Sequence, residues 1–163
     1  MALAALFYLG NRGDGPGGSP RPGAYPYQVG APGPGEEAPP IRLASTSGET
    51  FDLSSLRGRT VLLYFQEGLM CPPCWDQLRE IEANWSRFQA LGIERAAGIT
   101  SDPLPELGRK VADEGIATPI LSDPDLAVSS SYDTNSYGMM GRSRNGHSFI
   151  VVRPDGKILW RAD

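Results

Sequence analysis

Both cysteines of the chain lie in the segment Leu69 to Asp76, LMCPPCWD, with two prolines between them. An apolar run, TVLLYF, precedes them and an amphipathic segment follows. Two thiols at this spacing serve as a redox pair, as metal ligands or as a structural bridge. A bridge across so short a loop removes little conformational entropy from the unfolded chain, so a purely structural disulfide is disfavoured. The residues alone do not decide between a redox pair and a metal site.

The first forty residues differ in composition from the rest. The opening stretch, MALAALFYL, is apolar but shorter than the about 20 residues that a membrane-spanning helix needs. From Asn11 to Pro40, 16 of 30 residues are glycine or proline, and such a segment buries too little surface to offset its ordering entropy. We therefore predict a disordered tether over residues 1–40 and one domain over residues 41–163. An apolar terminus on a tether indicates attachment to a membrane.

The charge pattern excludes one class of partner. The chain of 163 residues has a formal net charge of -4, and no block of lysine or arginine stands out along it. A protein that binds nucleic acid needs a basic surface that follows the phosphate backbone. We therefore expect no nucleic-acid partner.

The hydrophobic pattern past residue 40 predicts an alternation of strands and helices. The continuous apolar run Thr60–Phe65 is typical of a central strand covered on both faces. The predicted elements are a hairpin over 41–58, the strand Thr60–Phe65, a helix from the cysteines to Gly92, a strand over 94–100, a helix that starts after Ser101–Pro103, a short edge strand at Pro119–Leu121, a capped helix in DPDLAVSSSY and a hairpin with its turn at Asp155–Gly156.

This order of elements is that of the thioredoxin fold, and three motifs are similar to one of its branches. The segments GEEAPPIRLASTSGETFDLSSLRGRTVLLYF, FQEGLMCPPC and FIVVRPDGKI resemble the alkyl hydroperoxide reductase and thiol-specific antioxidant family, in its peroxiredoxin-like subgroup with a CPxC pair. The resemblance implies an α/β fold with a mixed sheet and thiol chemistry. The fold normally ends with a further helix, but this chain stops at Asp163, so we expect part of the sheet face beside the first helix to be bare.

The position of the cysteines suggests how they divide the chemistry. Cys71 falls at the helix start, where the positive end of the helix dipole favours a thiolate, so we expect it to be the nucleophile. Cys74 lies one turn later and is suited to attack a mixed disulfide formed on Cys71. Pro72 and Pro73 remove two backbone donors that would stabilise the thiolate. We therefore expect a reductant of protein disulfides.

Peroxide reduction is the alternative enzyme activity that the resemblance implies. Typical peroxiredoxins share a P-x-x-x-T-x-x-C loop whose threonine positions the peroxide together with a later arginine. Gly68 stands three residues before Cys71 in place of that threonine, and no proline occupies the expected position. Arg142 or Arg144 is the candidate arginine. These departures favour disulfide exchange.

The only histidine of the chain, His147, precedes the FIVV strand. When the sequence is aligned without gaps on the VRPDG turn, His147 takes the place where thioredoxin-like proteins usually carry a cis-proline. An imidazole there would lie against Cys71 and would help to form the thiolate or supply a proton. A surface histidine at the start of a strand is the alternative.

The same residues permit a metal-binding function. Cys71, Cys74, His147 and Met70 form a set of soft ligands suited to Cu(I), to which Met139 or Met140 of YGMMG would add a thioether. A copper-delivery protein on this fold is therefore a second alternative. The alternative without metal is that the methionines pack against other side chains and that the two cysteines and the histidine form no closed metal site.

Two neighbours of the motif complete the set of candidate residues. Trp75 would contribute to a substrate-facing surface or simply cover the core. Glu67 would assist proton transfer to Cys74 if its carboxyl group is buried.

The prediction from sequence is a thiol:disulfide oxidoreductase without an organic cofactor. Its partners would be a protein disulfide substrate and an electron-donor protein. The predicted location is outside the cytoplasm, on a membrane tether, with a cytoplasmic protein as the alternative.

Overall fold

The computed structural model describes residues 28–163, which form a seven-stranded mixed sheet with helices on it. The strand order is β2-β1-β5-β4-β3-β6-β7. Strands β3, β4 and β5 run parallel, and the other pairs are antiparallel. The strands are β1 Arg42–Ser45, β2 Thr50–Asp52, β3 Val61–Phe65, β4 Arg95–Thr100, β5 Ile120–Ser122, β6 Ser148–Val152 and β7 Ile158–Ala162. The sequence prediction of a thioredoxin-like α/β fold is confirmed.

Strand β3 lies inside the sheet between β4 and β6, and all five of its residues are buried. One face of the sheet is covered by helix α1, Pro72–Ala83, and helix α3, Leu104–Glu114, whose buried side chains pack on Leu62 and Tyr64. The other face packs on Leu63 and is covered by side chains from several loops and from the 3-10 helix Leu53–Leu56. The continuous apolar run therefore reflects burial on both faces.

The predicted helix from the cysteines to Gly92 is interrupted. Helix α1 ends at Ala83, and a separate short helix, α2, covers Trp85–Ala90. Asn84 between them leaves helical geometry, with φ -106° and ψ 17°, and its side-chain Nδ2 donates a hydrogen bond to the Glu80 carbonyl at 2.9 Å. An asparagine side chain that bonds to the backbone competes with the helix ladder, which explains the break.

Strand β5 lies inside the sheet, so the prediction of an edge strand at Pro119–Leu121 is wrong. It pairs in parallel with β4 and antiparallel with β1, where Ser122 lies opposite Ala44. The predicted hairpin over 41–58 forms β1 and β2, and it is this hairpin that covers the edge of β5. The helix predicted in DPDLAVSSSY is the short helix α4, Ala127–Ser131.

Residues 28–40, assigned by composition to the disordered tether, pack along β7. Gly35 N donates to the Ile158 carbonyl at 2.8 Å, and Ile158 N donates to the Glu36 carbonyl at 2.9 Å. The buried guanidinium of Arg161 donates to the Pro32 carbonyl at 3.1 Å. The unpaired backbone groups of an edge strand supply partners that composition does not reveal. The rest of the predicted tether, with its apolar start, lies outside the described residues.

The sheet face beside α1 is covered unevenly at β6 and β7, where Val151 and Trp160 are buried. Phe149, Leu159 and Ala162 pack against the core on this face and are half-buried. Phe149 also stacks on Tyr64, with ring centroids 4.5 Å apart. This is the region where we expected a bare surface, and its apolar side chains are buried or half-buried.

Candidate active site

The two cysteines lie at the start of α1 and are joined in a disulfide. Cys71 is the N-cap residue and Cys74 is the third residue of the helix, with their Cα atoms 5.4 Å apart. This separation is within the usual range for a disulfide, so the pair closes on the helix backbone as it stands. Cys71 is 7% exposed and Cys74 is fully buried, which makes Cys71 the more accessible sulfur.

His147 contacts both sulfurs. Its Nε2 atom lies 3.3 Å from Cys71 Sγ and 2.8 Å from Cys74 Sγ, while the residue as a whole is exposed to solvent. The register of the sheet fixes this approach, because β6 begins at Ser148, which lies directly opposite Phe65 at the end of β3. The structure thus places the imidazole where the alignment on the VRPDG turn predicted it.

The first turn of α1 offers the Cys71 sulfur little help from backbone donors. Pro72 and Pro73 occupy the first two helical positions and have no N–H group. The N–H of Cys74 donates to the Cys71 carbonyl at 3.0 Å. The imidazole of His147 is therefore the polar group best placed to stabilise a thiolate on either cysteine.

Gly68 shapes the cysteine loop, residues 66–70, which joins β3 to Cys71. Its φ is +93°, a backbone conformation that residues with a Cβ atom rarely adopt. A Cβ atom at this position would lie 1.8 Å from Asp102 Oδ2 and 2.4 Å from Thr100 Oγ1. Gly68 therefore lets the loop approach the end of β4. Its carbonyl also accepts a hydrogen bond from Cys71 N at 3.0 Å, which connects the loop to the helix start.

Asp102 holds this loop from the neighbouring strand end. Its carboxylate is almost fully buried, and Oδ2 accepts a hydrogen bond from Leu69 N at 2.7 Å. Its other oxygen pairs with Arg144 at 2.8 Å. The Ser101–Pro103 segment reads in sequence as a helix start, and helix α3 does begin at Leu104, but the Asp102 side chain serves the cysteine loop instead of capping that helix.

The two arginines considered for peroxide binding are engaged elsewhere. The Arg144 guanidinium donates to Asp102 Oδ1 and, at 3.0 Å, to the Glu67 carbonyl. Arg142 donates to Ser136 Oγ at 2.6 Å on an exposed turn. Arg144 therefore stabilises the cysteine loop through its backbone and through Asp102.

Glu67 is buried and joins two loops. Its Oε1 accepts a hydrogen bond from Met139 N at 2.9 Å, so the YGMMG loop is attached to the cysteine loop. Burial raises the pKa of the nearby Tyr64 hydroxyl, and the negative charge of Glu67 raises it further. The condition set for a proton-transfer role, burial of the carboxyl group, is met, while the role itself stays a prediction.

Trp75 belongs to the core. Its side chain is 1% exposed, and Nε1 donates to the Gly68 carbonyl at 3.1 Å. The interpretation of Trp75 as a substrate-facing residue is wrong, because the first turn of α1 directs the indole under the cysteine loop.

The residues around the site that sequence reasoning missed are Asp102 and Tyr64. Asp102 lies two residues after the end of β4, and Tyr64 lies one residue before the end of β3. Polar residues at the carboxyl ends of adjacent parallel strands meet at one edge of a sheet, and that rule would have found Asp102. No sequence signal marks Tyr64, which stands inside an apolar run.

Comparisons with known proteins identify the family of the chain. The sequence profile of the AhpC/TSA family matches residues 34–161. The chain belongs to the AhpC/TSA family. As a member of it, the chain is a thiol-based oxidoreductase, in agreement with the prediction from sequence.

Individual relatives within the AhpC/TSA family carry two kinds of name. A Mycobacterium tuberculosis protein named as a peroxiredoxin is 33% identical over 131 residues, which cover 77% of this chain and 82% of that protein. The thiol-disulfide oxidoreductase ResA of Bacillus subtilis is 25% identical over 125 residues, or 77% of this chain and 64% of ResA. The crystal structure of peroxidoxin BcpB from Mycobacterium tuberculosis superposes with a TM-score of 0.66 at 21% identity, covering 78% of this chain and 83% of that chain. The choice between the two activities therefore rests on the site.

Proposed function

We propose that this AhpC/TSA protein reduces protein disulfides through the Cys71 and Cys74 pair. The observation that carries the proposal is the contact of one imidazole, His147, with both sulfurs of a closed CxxC pair. A group in that position serves both halves of a thiol-disulfide exchange, because each half moves one proton to or from a sulfur.

The first half-reaction takes place at Cys71. Its thiolate attacks one sulfur of the substrate disulfide, the substrate S–S bond breaks, and a mixed disulfide forms between Cys71 and the substrate. The departing substrate sulfur leaves as a thiolate and takes up a proton, which protonated His147 is placed to supply. Cys71 is the attacking group because Cys74 is fully buried.

The second half-reaction releases the substrate. The Cys74 thiol passes its proton to His147 Nε2, which lies 2.8 Å from its sulfur, and then attacks the Cys71 sulfur. The mixed disulfide breaks, the second substrate thiol leaves, and the Cys71–Cys74 disulfide forms. Two electrons have moved from the dithiol to the substrate. An electron-donor protein with a dithiol must then reduce the pair for another cycle.

Two observations favour disulfide exchange over peroxide reduction. In the peroxidases that this chain resembles, a threonine and an arginine position the peroxide. Gly68 stands where that threonine would be, three residues before Cys71, and Arg144 is held by Asp102 and by the Glu67 carbonyl. The groups that would polarise a peroxide are thus replaced or engaged elsewhere.

A comparison of two substrates tests the proposal. The reduced protein is mixed in separate experiments with insulin, as a protein disulfide, and with hydrogen peroxide. Oxidation is followed by tryptophan fluorescence, since Trp75 adjoins Cys74. We expect the rate constant for the disulfide to exceed that for peroxide by a wide margin. Rapid peroxide turnover with slow disulfide exchange would overturn the proposal and identify a peroxidase.

Trapping experiments assign the order of the cysteines. Cys71→Ser should abolish exchange and form no adduct, whereas Cys74→Ser should accumulate a mixed disulfide that dithiothreitol dissolves. Non-reducing electrophoresis and intact mass measure both outcomes. Adducts on the Cys71→Ser protein and none on Cys74→Ser would show that Cys74 attacks first.

We further propose that the domain acts outside the cytoplasm on a membrane tether. The support is compositional: an apolar start, Met1 to Leu9, is followed by a segment rich in glycine and proline. Within residues 28–163, no helix is long and apolar enough to span a bilayer. A fusion of alkaline phosphatase to the C-terminus, which is active only outside the cytoplasm, tests the proposal. An inactive but intact fusion would contradict it.

A further inference from the structure

The sulfurs of the redox pair and the histidine also form a compact set of metal ligands. Cys71 Sγ, Cys74 Sγ and His147 Nε2 all lie within 4.8 Å of one another. Among the described residues, this is the group of cysteine, histidine and acidic side chains whose ligand atoms converge in this way. The cysteines are buried and the histidine is exposed, so the set opens to solvent on one side.

We propose that the reduced protein binds one Cu(I) ion through these three atoms. Thiolates are soft ligands that select Cu(I), and imidazole also binds copper. A structural zinc site normally takes four protein ligands, and this set provides three. The donor set therefore fits a monovalent soft ion of low coordination number better than it fits a closed zinc site.

Exposed methionines around the site support the choice of metal. The large hydrophobic side chains exposed among the described residues are Leu91 and three methionines, namely Met70 (84% exposed), Met139 (88%) and Met140 (61%). Met70 adjoins Cys71, and Met139 is attached to the cysteine loop through Glu67. Thioethers are soft groups, so Met70 and Met139 make the approach to the site favourable for Cu(I), while the ion itself is held by the two thiolates and the imidazole.

The fold holds the ligands in place before any metal arrives. Cys71 and Cys74 are fixed one turn apart by α1, and His147 is fixed by the start of β6. The backbone at Gly146 is also confined, since a Cβ there would lie 2.4 Å from the Tyr137 carbonyl carbon. Binding therefore requires little ordering of the protein, which lowers its entropic cost.

Metal binding and disulfide formation exclude each other, because both use the same sulfurs. A dithiol reductant must first convert the Cys71–Cys74 disulfide into two thiols, supplying two electrons and two protons and becoming a disulfide itself. Each thiol then loses its proton as Cu(I) binds, and the copper stays in the +1 state throughout. Bound Cu(I) should therefore protect the pair from oxidation, and oxidation should release the ion.

The test is competition with a coloured chelator. The full chain, reduced and kept without oxygen, is titrated into the Cu(I) complex of bicinchoninate, and the loss of its absorbance measures transfer. We expect one equivalent of Cu(I) to move to the reduced protein and none to the oxidised protein. His147→Asn should lower the affinity by a factor of ten or more. X-ray absorption of the copper complex should show two sulfur ligands and one nitrogen.

Met139→Leu is the matched control, because it keeps size and apolarity and removes one exposed thioether outside the proposed ligand set. Its affinity should stay within a factor of two of wild type. In the titration, the proposal is overturned if the reduced protein leaves the copper on bicinchoninate or if His147→Asn binds it as tightly as wild type. It is also overturned if Met139→Leu weakens binding as much as His147→Asn does. In X-ray absorption, a spectrum with sulfur ligands alone would overturn it. Disulfide exchange is assayed without metal, so its failure is distinguishable from failure here.

Discussion

Gly68→Ala tests how the cysteine loop is held against the end of β4. The substitution adds a methyl group at a φ of +93°, and the new Cβ would lie 1.8 Å from Asp102 Oδ2. The side chain of Asp102 must move, because two atoms cannot approach so closely. The same oxygen, Oδ2, would then lose its hydrogen bond with Leu69 N.

The magnitude follows from two separate contributions. An alanine in left-handed backbone conformation costs about 1–2 kcal/mol. A hydrogen bond to a charged group contributes about 1.5–3 kcal/mol, and the loss of the bond from Leu69 N to Asp102 is the smallest change that relieves the clash. The free energy of unfolding should therefore fall by about 2.5–5 kcal/mol, a large fraction of the about 5–15 kcal/mol typical of a domain.

Gly48→Ala is the matched control. Gly48 also has a positive φ, +85°, but a Cβ there would meet nothing within 4 Å. Only the backbone contribution applies, so we expect a loss of about 1–2 kcal/mol. Both variants are unfolded in urea in the oxidised state, with circular dichroism as the signal, so that the disulfide is the same in each. Equal losses for Gly68→Ala and Gly48→Ala would refute the argument, because the contact with Asp102 would then contribute nothing.

Further predictions concern two buried tyrosines and the histidine. Tyr132→Phe should reduce the free energy of unfolding by about 1 kcal/mol, because the Tyr132 hydroxyl donates to the Pro39 carbonyl at 2.7 Å; Tyr64→Phe should leave it unchanged or higher, because the buried Tyr64 hydroxyl has no hydrogen-bond partner among the described residues. Burial raises the pKa of both hydroxyls, so the fold favours their neutral form. The stability that this gives is complete below the unfolded pKa of about 10 and falls as the pH rises further. The double Phe variant should therefore lose free energy of unfolding less steeply than wild type between pH 9 and 11 in urea titrations, and an equally steep loss would argue against this. His147→Ala should slow disulfide exchange by about 100-fold in stopped-flow fluorescence, as expected when a proton-transfer group is removed, and an unchanged rate would exclude His147 from the reaction.

The sequence determined the elements whose signals are local. The apolar run Thr60–Phe65, the CPPC motif and the amphipathic segment after it predict a buried strand that leads into a helix with Cys71 at its start, and the structure has this arrangement. Of the two failures, one has a local cause and the other a distant one. Asn84 breaks the helix through a hydrogen bond that its side chain makes to the backbone, and residues 28–40 are ordered by contacts with an edge strand that composition does not record.

Only the tertiary structure decided which distant residues meet the cysteines. His147 and Asp102 are separated from Cys71 by 76 and 31 positions along the chain, and both reach its loop because β6 and β4 flank β3 in the sheet. Alignment on a family pattern predicted the place of His147, but Asp102 and Arg144 were assigned other roles. Their positions depend on the order and register of strands, which are set by packing over the whole sheet and not by the residues beside each side chain.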